Sequence, residues 1–139
     1  MALNLDSFKK SIESLGRSLQ AFKDANSLDL PQNIQETIRA GVVQNFEVCY
    51  EQSWKMIKRW LDENIGSSYV DGVSRRELFR LAFENRLIDD VNRWMDFHRS
   101  RNETSHTYNQ GTAEEVFCDA ELFITDAQNL FRAIETRND

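Results

Sequence analysis

The scarcity of helix-breaking residues is the feature that most constrains the fold of this chain. Its 139 residues include one proline and five glycines, so long segments run without interruption. Within these segments apolar residues recur three and four positions apart, which is the spacing of one face of an α-helix. No segment shows the alternation typical of a β-strand. We therefore predict an all-α fold, an antiparallel up-down bundle of about five helices with a four-helix core, forming one domain over residues 1–139.

Capping signals and breaks divide the chain into five predicted helices. Pro31 suits the first turn of the second helix, where its missing N–H costs nothing. A serine followed three residues later by glutamate, at Ser74–Glu77, marks the start of the third. Gly111 is expected to stop the fourth helix, and Thr112 to cap the last. The predicted bounds are about Leu5–Ala25, Pro31–Glu63, Ser74–Asn85, Asp89 or Asp90 to Gly111, and Thr112–Glu135.

The charge balance restricts the classes of partner. The net charge of −6 argues against sequence-independent binding to duplex DNA, which needs a basic face. Between Arg75 and Arg101, however, seven arginines stand against five acidic residues, which fits either a solvated helix surface or an anion site. No signal peptide or membrane-spanning segment is evident, so we expect a soluble, cytoplasmic protein. The two cysteines are isolated from further ligand pairs, and we predict neither a metal site nor a cofactor.

Two sides of the fourth helix are predicted to avoid water. At about 100° per residue, Arg101 and Tyr108 fall within about 20° of each other if the helix stays regular. The side predicted to face the core is formed by Val91, Trp94, Met95, His98 and Asn102. The side predicted to face a partner is formed by Phe97, Arg101, Thr104 and Tyr108. We expect this second side to be the interface of a homodimer, with two-fold symmetry.

The densest cluster of chemically capable side chains is the segment 101–108. Arg101 offers a planar fork of donors that matches a phosphate group. His106 titrates near neutrality and can move a proton, and Tyr108 can stack on a base or act as a nucleophile. Together they suit a nucleotide or RNA ligand. The residue types equally allow a structural histidine and an arginine paired with an acid.

The spacing Arg101-x4-His106 at the end of a late helix resembles the signature of HEPN domains. Asn102 is the polar residue common in that motif, and His106-Thr107-Tyr108 is similar to its extended form. The pattern of most of the chain resembles the branch called nucleotidyltransferase substrate-binding proteins. This resemblance implies a helical bundle that dimerises with the motif near the two-fold axis. It also implies a partner, a minimal nucleotidyltransferase encoded separately.

Two functions follow from the resemblance and use the same residues. In the first, the chain is the nucleotide- or substrate-binding subunit of a two-component system, of toxin–antitoxin type in related pairs. Its ligand would be held by Arg101, Asn102, Ser105 and Tyr108. In the alternative, Arg101 and His106 form a metal-independent ribonuclease site, and the partner neutralises the toxin by transferring AMP to Tyr108. A purely structural bundle or dimerisation module is the third hypothesis.

Overall fold

Five α-helices form most of the protein, and the computed structural model describes residues 2–107 and 109–139. Their bounds are α1 Asp6–Ser27, α2 Gln32–Asn64, α3 Arg75–Glu84, α4 Val91–Glu103 and α5 Gln110–Glu135. Two short 3₁₀ turns, Ser67–Tyr69 and Thr104–His106, join helices. The described residues contain no β-strand, so the predicted all-α class is confirmed. None of these helices combines the length and the apolar composition that a membrane span requires.

An aromatic cluster at the centre of the bundle fixes the position of α4. Phe123 of α5 is fully buried, and its ring centroid lies 5.3 Å from that of Phe46 in α2. Its ring also contacts Trp94 and Phe97 of α4, at centroid distances of 5.4 and 4.9 Å. Tilted and edge-to-face arrangements at this range stabilise aromatic pairs beyond simple burial. The first two turns of α4 are therefore anchored to α5 and, through Phe123, to α2.

Helices α3, α4 and α5 begin at side-chain caps, and two predicted boundaries are wrong. Ser74 accepts a hydrogen bond from the Glu77 N–H, and Asp90 accepts one from the Arg93 N–H, as capping residues do. At the last helix, however, Asn109 is the cap, because its side chain accepts from the Thr112 N–H at 3.2 Å. Helix α5 therefore begins at Gln110 and contains Gly111, which was expected to end α4.

The structure confirms Trp94 as a core residue of α4 but differs from the prediction at other positions of this helix. Phe97 is 1% exposed and Thr104 is 9% exposed, so both side chains lie in the interior with Trp94. His98 is only half-buried, and Asn102 is exposed. The larger apolar ring gains more from burial than an imidazole or an amide does. A dimer interface formed directly by Phe97 and Thr104 is therefore wrong.

Candidate functional site

Arg101 lies in the last turn of α4 and faces two carboxylates of α2. Its Nε is 3.2 Å from Oε1 of Glu51, and its Nη1 is 3.6 Å from Oε2 of Glu47. The other oxygen of Glu51, Oε2, accepts a hydrogen bond from the indole N–H of Trp54 at 3.0 Å. Glu51 is thereby held in one orientation. The two carboxylates place the guanidinium against α2 by charge.

Hydrogen bonding by the Arg101 guanidinium is incomplete. The buried Nε–H is within ion-pairing distance of Glu51, yet it is directed at no acceptor among the described residues. Nη1 donates a long hydrogen bond of 3.4 Å to Oγ1 of Thr104. Nη2 donates none to any residue in the described part of the chain. Arg101 is 32% exposed and has N–H donors that make no hydrogen bond among the described residues, so it can bind a charged acceptor such as phosphate.

The segment that carries His106 is a 3₁₀ turn rather than a continuation of α4. The hydroxyl of Thr104 donates to the carbonyl of Arg101 at 2.9 Å, and the regular helix ends at this point. Ser105 and His106 are exposed on the turn Thr104–His106. The predicted alignment of Arg101 with Tyr108 assumed a regular helix between them. Tyr108 itself lies outside the described residues.

Beside Arg101, a polar network connects α2, α3 and α4. The hydroxyl of Tyr50 lies 2.8 Å from Nδ1 of His98 and accepts a hydrogen bond from Nη1 of Arg75 at 3.3 Å. Because Arg75 donates to this oxygen, the tyrosine proton is available to Nδ1 of His98. The neutral ring then carries its proton on Nε2, which faces the amide nitrogen of Asn102 at 3.4 Å, so this approach is a contact between two donors and not a hydrogen bond. Asn102 thus lies against the ring of His98, which Tyr50 connects to Arg75.

Burial keeps both Tyr50 and His98 in their neutral forms, and nearby positive charge adds to this effect only at His98. Burial raises the pKa of Tyr50, although the neighbouring Arg75 opposes the shift. Burial lowers the pKa of His98, and the charges of Arg75 and Arg101 lower it further. Both side chains are therefore uncharged at neutral pH, and the positive charge at this place belongs to the two arginines.

A groove opens next to Arg101, between α2 and the junction of α4 with α5. Its volume is about 450 Å³, within the size range of small-molecule sites. It is lined by Glu36, Arg39, Ala40, Val43, Gln44, Glu47, Thr104, Thr107, Gln110 and Ala113. Glu47 and Thr104 also contact Arg101, so the groove lies directly beside the guanidinium. Thr104 and Thr107 bracket the turn that carries His106.

A larger cavity, of about 590 Å³, lies near the start of α4 and contains none of residues 101–108. Its lining includes Asp126, which is buried and paired with Arg93 at 2.6 Å between Oδ2 and Nε. Burial raises the pKa of Asp126, and the hydrogen bond from Arg93 opposes that shift. Size alone does not connect this cavity with the motif, and the polar groove beside Arg101 is the candidate site.

The partners of Arg101 are residues that the sequence pattern assigned to solvent. Apolar spacing alone predicts that Glu47 and Glu51 lie on the water-facing side of α2, whereas in the structure both are half-buried against Arg101. Tyr50 lies three residues after Glu47, and Trp54 lies three residues after Glu51. This second stripe of α2, at three- and four-residue spacing, is the signal that could have identified them.

Comparison with known proteins places this geometry in a family. A family model described as "Nucleotidyltransferase substrate binding protein like" matches residues 3–136. The protein named "Probable ribonuclease HepT" from Haemophilus influenzae is 33% identical over 138 residues, which cover 98% of this chain and 94% of that protein.

Solved structures show the same fold. A Haemophilus influenzae structure, described as revealing the fold of a substrate binding domain of a nucleotidyltransferase, is similar with a TM-score of 0.89 and 31% identity. The match covers 95% of this chain and 99% of the other. A crystal structure from Thermus thermophilus matches with a TM-score of 0.64 and 24% identity, over 86% and 98% of the two chains, and supports the fold alone. The chain belongs to the nucleotidyltransferase substrate binding protein like family.

Proposed function

We propose that this protein binds single-stranded RNA beside Arg101 and cleaves it as a metal-independent ribonuclease. The observation that carries the proposal is the arrangement of Arg101, held by Glu47 and Glu51 with hydrogen-bond donors left over, beside a groove whose edge carries the His106 turn. The relative named "Probable ribonuclease HepT", which aligns over nearly the whole chain, supports the same activity.

The chemistry requires a base and a charge stabiliser, and the two motif residues are suited to these roles. The imidazole of His106 takes the proton of a ribose 2′-hydroxyl, and the 2′-oxygen attacks the adjacent phosphorus. Arg101 donates to the non-bridging oxygens as negative charge accumulates on them. The 5′-oxygen leaves with a proton from solvent or from the protonated imidazole. The products are a 2′,3′-cyclic phosphate and a free 5′-hydroxyl.

A second candidate function is a ligand-binding subunit for a separately encoded minimal nucleotidyltransferase. The family description and the substrate-binding description of the similar Haemophilus influenzae structure favour it. Asn102 and Ser105, both exposed beside Arg101, would add hydrogen bonds to the ligand. The two functions are compatible in a toxin–antitoxin pair, in which the partner would neutralise the ribonuclease by transferring AMP to Tyr108.

The expected homodimer remains part of the proposal, with a changed interface. Because Phe97 and Thr104 are interior residues, the contact would involve the exposed residues at the end of α4 and in the following turn. A two-fold contact there would bring two copies of Arg101 near each other, which a bound phosphate would stabilise. Light scattering should then give twice the 16.3 kDa mass of one chain.

A nuclease assay on protein purified without any partner tests the proposed function. The substrate is a single-stranded RNA with a label at each end, incubated with and without EDTA. Cleavage that persists in EDTA and leaves cyclic phosphate ends is the expected result. The absence of cleavage, together with tight binding of the RNA or of a nucleotide, would favour the binding subunit instead.

A further inference from the structure

A second arginine, Arg75, is held in a fixed position across Tyr50 from Arg101. The centre of its guanidinium lies 3.7 Å from the ring centroid of Trp54, so the two planes are in cation–π contact. Its Nη1 also donates to the hydroxyl of Tyr50 at 3.3 Å. One ring and one hydrogen bond thus restrict a side chain that is otherwise rotamer-rich, and Arg75 is pre-organised for a further contact.

The charge of Arg75 has no counter-ion in the structure. No Asp or Glu of the described residues lies within ion-pairing distance of its guanidinium, in contrast to Arg80, Arg93, Arg99 and Arg101. Arg75 is also the first residue of the ten-residue helix α3. The positive end of the helix dipole and its free backbone N–H groups add to the attraction for an anion at this place. Half-buried, pre-organised and without a carboxylate, Arg75 is suited to a phosphate group.

Arg75 and Arg101 belong to one continuous polar strip. Arg75 contacts Tyr50, Tyr50 contacts His98, and His98 contacts Asn102, which directly follows Arg101. Both arginines act electrostatically on Tyr50 and on His98. Arg75 and Arg101 therefore both lie near the neutral rings of Tyr50 and His98. Each arginine can bind an anion separately.

We propose that Arg75, stacked on Trp54, is a second phosphate-binding point for the RNA held by Arg101. This inference rests on the proposed function and specifies its substrate, which is a single strand contacted at two or more phosphates. A mononucleotide carries a single phosphate and is expected to bind at the Arg101 point alone. Half-buried His98 lies between the two phosphate points, and the buried Tyr50 supports it from below.

Fluorescence anisotropy with two labelled probes tests this inference. The first probe is a 2′-O-methyl oligouridylate of about ten nucleotides, in the size range of single-strand sites, which lacks the hydroxyl needed for cleavage. The second is labelled AMP. Arg75→Gln should weaken oligonucleotide binding about tenfold and reduce the salt slope by about 0.7, the value for one phosphate of a single strand. Binding of AMP should be unchanged.

Arg76→Gln is the matched control, because Arg76 is the next residue of α3, is exposed, and donates to the side-chain oxygen of Asn92 at 3.3 Å rather than to Tyr50. It should leave both affinities unchanged. Arg75→Lys keeps the charge without the planar fork and should weaken oligonucleotide binding by a smaller factor, even if the glutamine variant proves unstable.

Three results would overturn the second phosphate point. The first is an equal loss of oligonucleotide affinity in the Arg75→Gln and Arg76→Gln variants. The second is a loss of AMP binding in Arg75→Gln as large as its loss of oligonucleotide binding, and the third is unchanged oligonucleotide binding in Arg75→Gln. Failure of the unmodified protein to bind either probe would instead overturn the proposed function itself. The two failures are therefore distinguishable in one experiment.

Discussion

Nε of Arg101 lies 3.2 Å from Oε1 of Glu51, but its N–H is not directed at that oxygen. The contact is therefore an ion pair without a hydrogen bond, between side chains that are about one-third exposed. Pairs of this exposure contribute about 1 kcal/mol or less to folding. The role of the pair is thus to place the guanidinium rather than to stabilise the bundle.

Replacement of Arg101 should abolish RNA cleavage while changing the stability of the protein little. Arg101→Ala should cost about 1 kcal/mol in the free energy of unfolding and abolish detectable RNA cleavage. Arg101→Lys keeps the charge but loses the second donor of a bidentate contact, so cleavage should be reduced strongly. Urea titration and a cleavage assay on the same samples provide the check. A large loss of stability with activity retained per folded molecule would contradict this assignment.

In the structure Phe97 is a core residue and not an interface residue. Phe97→Ala removes a ring that packs on Trp94 and Phe123, and it should destabilise the protein by about 3–5 kcal/mol. Met95→Ala, at a half-buried position of the same helix, is the control and should cost less. Urea denaturation measures both. A monomeric but equally stable Phe97→Ala variant would restore the interface that the sequence pattern suggested.

The lowered pKa of His98 makes stability depend on pH in a defined direction. Below about pH 6.5, His98 is protonated in the unfolded chain but binds a proton more weakly in the folded protein. Stability should therefore be complete above about pH 6.5 and decrease as the pH falls toward the lower pKa of the folded state. His98→Gln should show a shallower decrease. Thermal unfolding between about pH 5 and 7.5 measures the difference between the two proteins.

An equal loss of stability with falling pH in the unmodified protein and in His98→Gln would contradict a lowered pKa of His98 beside Tyr50, Arg75 and Arg101. Comparison of the two proteins isolates this histidine, because other groups such as Asp126 titrate alike in both.

The sequence was sufficient for the helices and for the motif, but not for the side of α4 that faces the core. Apolar spacing and capping at Ser74 and Asp90 located the elements. The start of α5 was missed because Asn109 and Thr112 are both good caps, and only the three-dimensional structure shows which one is used. The position of Phe97 depends on Phe123, 26 residues later, and no local pattern carries that information.

The site was predictable only where its residues are close in sequence. Arg101 and His106 are identified by their spacing, whereas Glu47 and Glu51 come from α2, more than one third of the chain length away in sequence. Periodicity assigned these glutamates to solvent, because charged residues on α2 satisfy a solvated surface as well as an ion pair. The folded arrangement of α2 against α4 decides between the two.

Tyr108 is the predicted acceptor of AMP from a nucleotidyltransferase partner. Incubation of the pair with ATP should add AMP to Tyr108, and mass spectrometry of the digested protein should locate it there. Tyr50 is buried with its hydroxyl already engaged by His98 and Arg75, so it should remain unmodified. Tyr69, which is 68% exposed, controls for unspecific labelling. AMP found only on Tyr69 would contradict the assignment.

The most direct test of the account is the rate of RNA cleavage by the His106→Ala variant, in EDTA and without any partner protein. Loss of the general base should reduce the rate about 10²- to 10⁴-fold, measured per folded molecule on samples whose thermal unfolding is recorded in parallel. Glu115→Ala, at an exposed position near the start of α5, is the control and should keep most of the activity. A His106→Ala protein that cleaves RNA as fast as the unmodified protein would contradict the ribonuclease site.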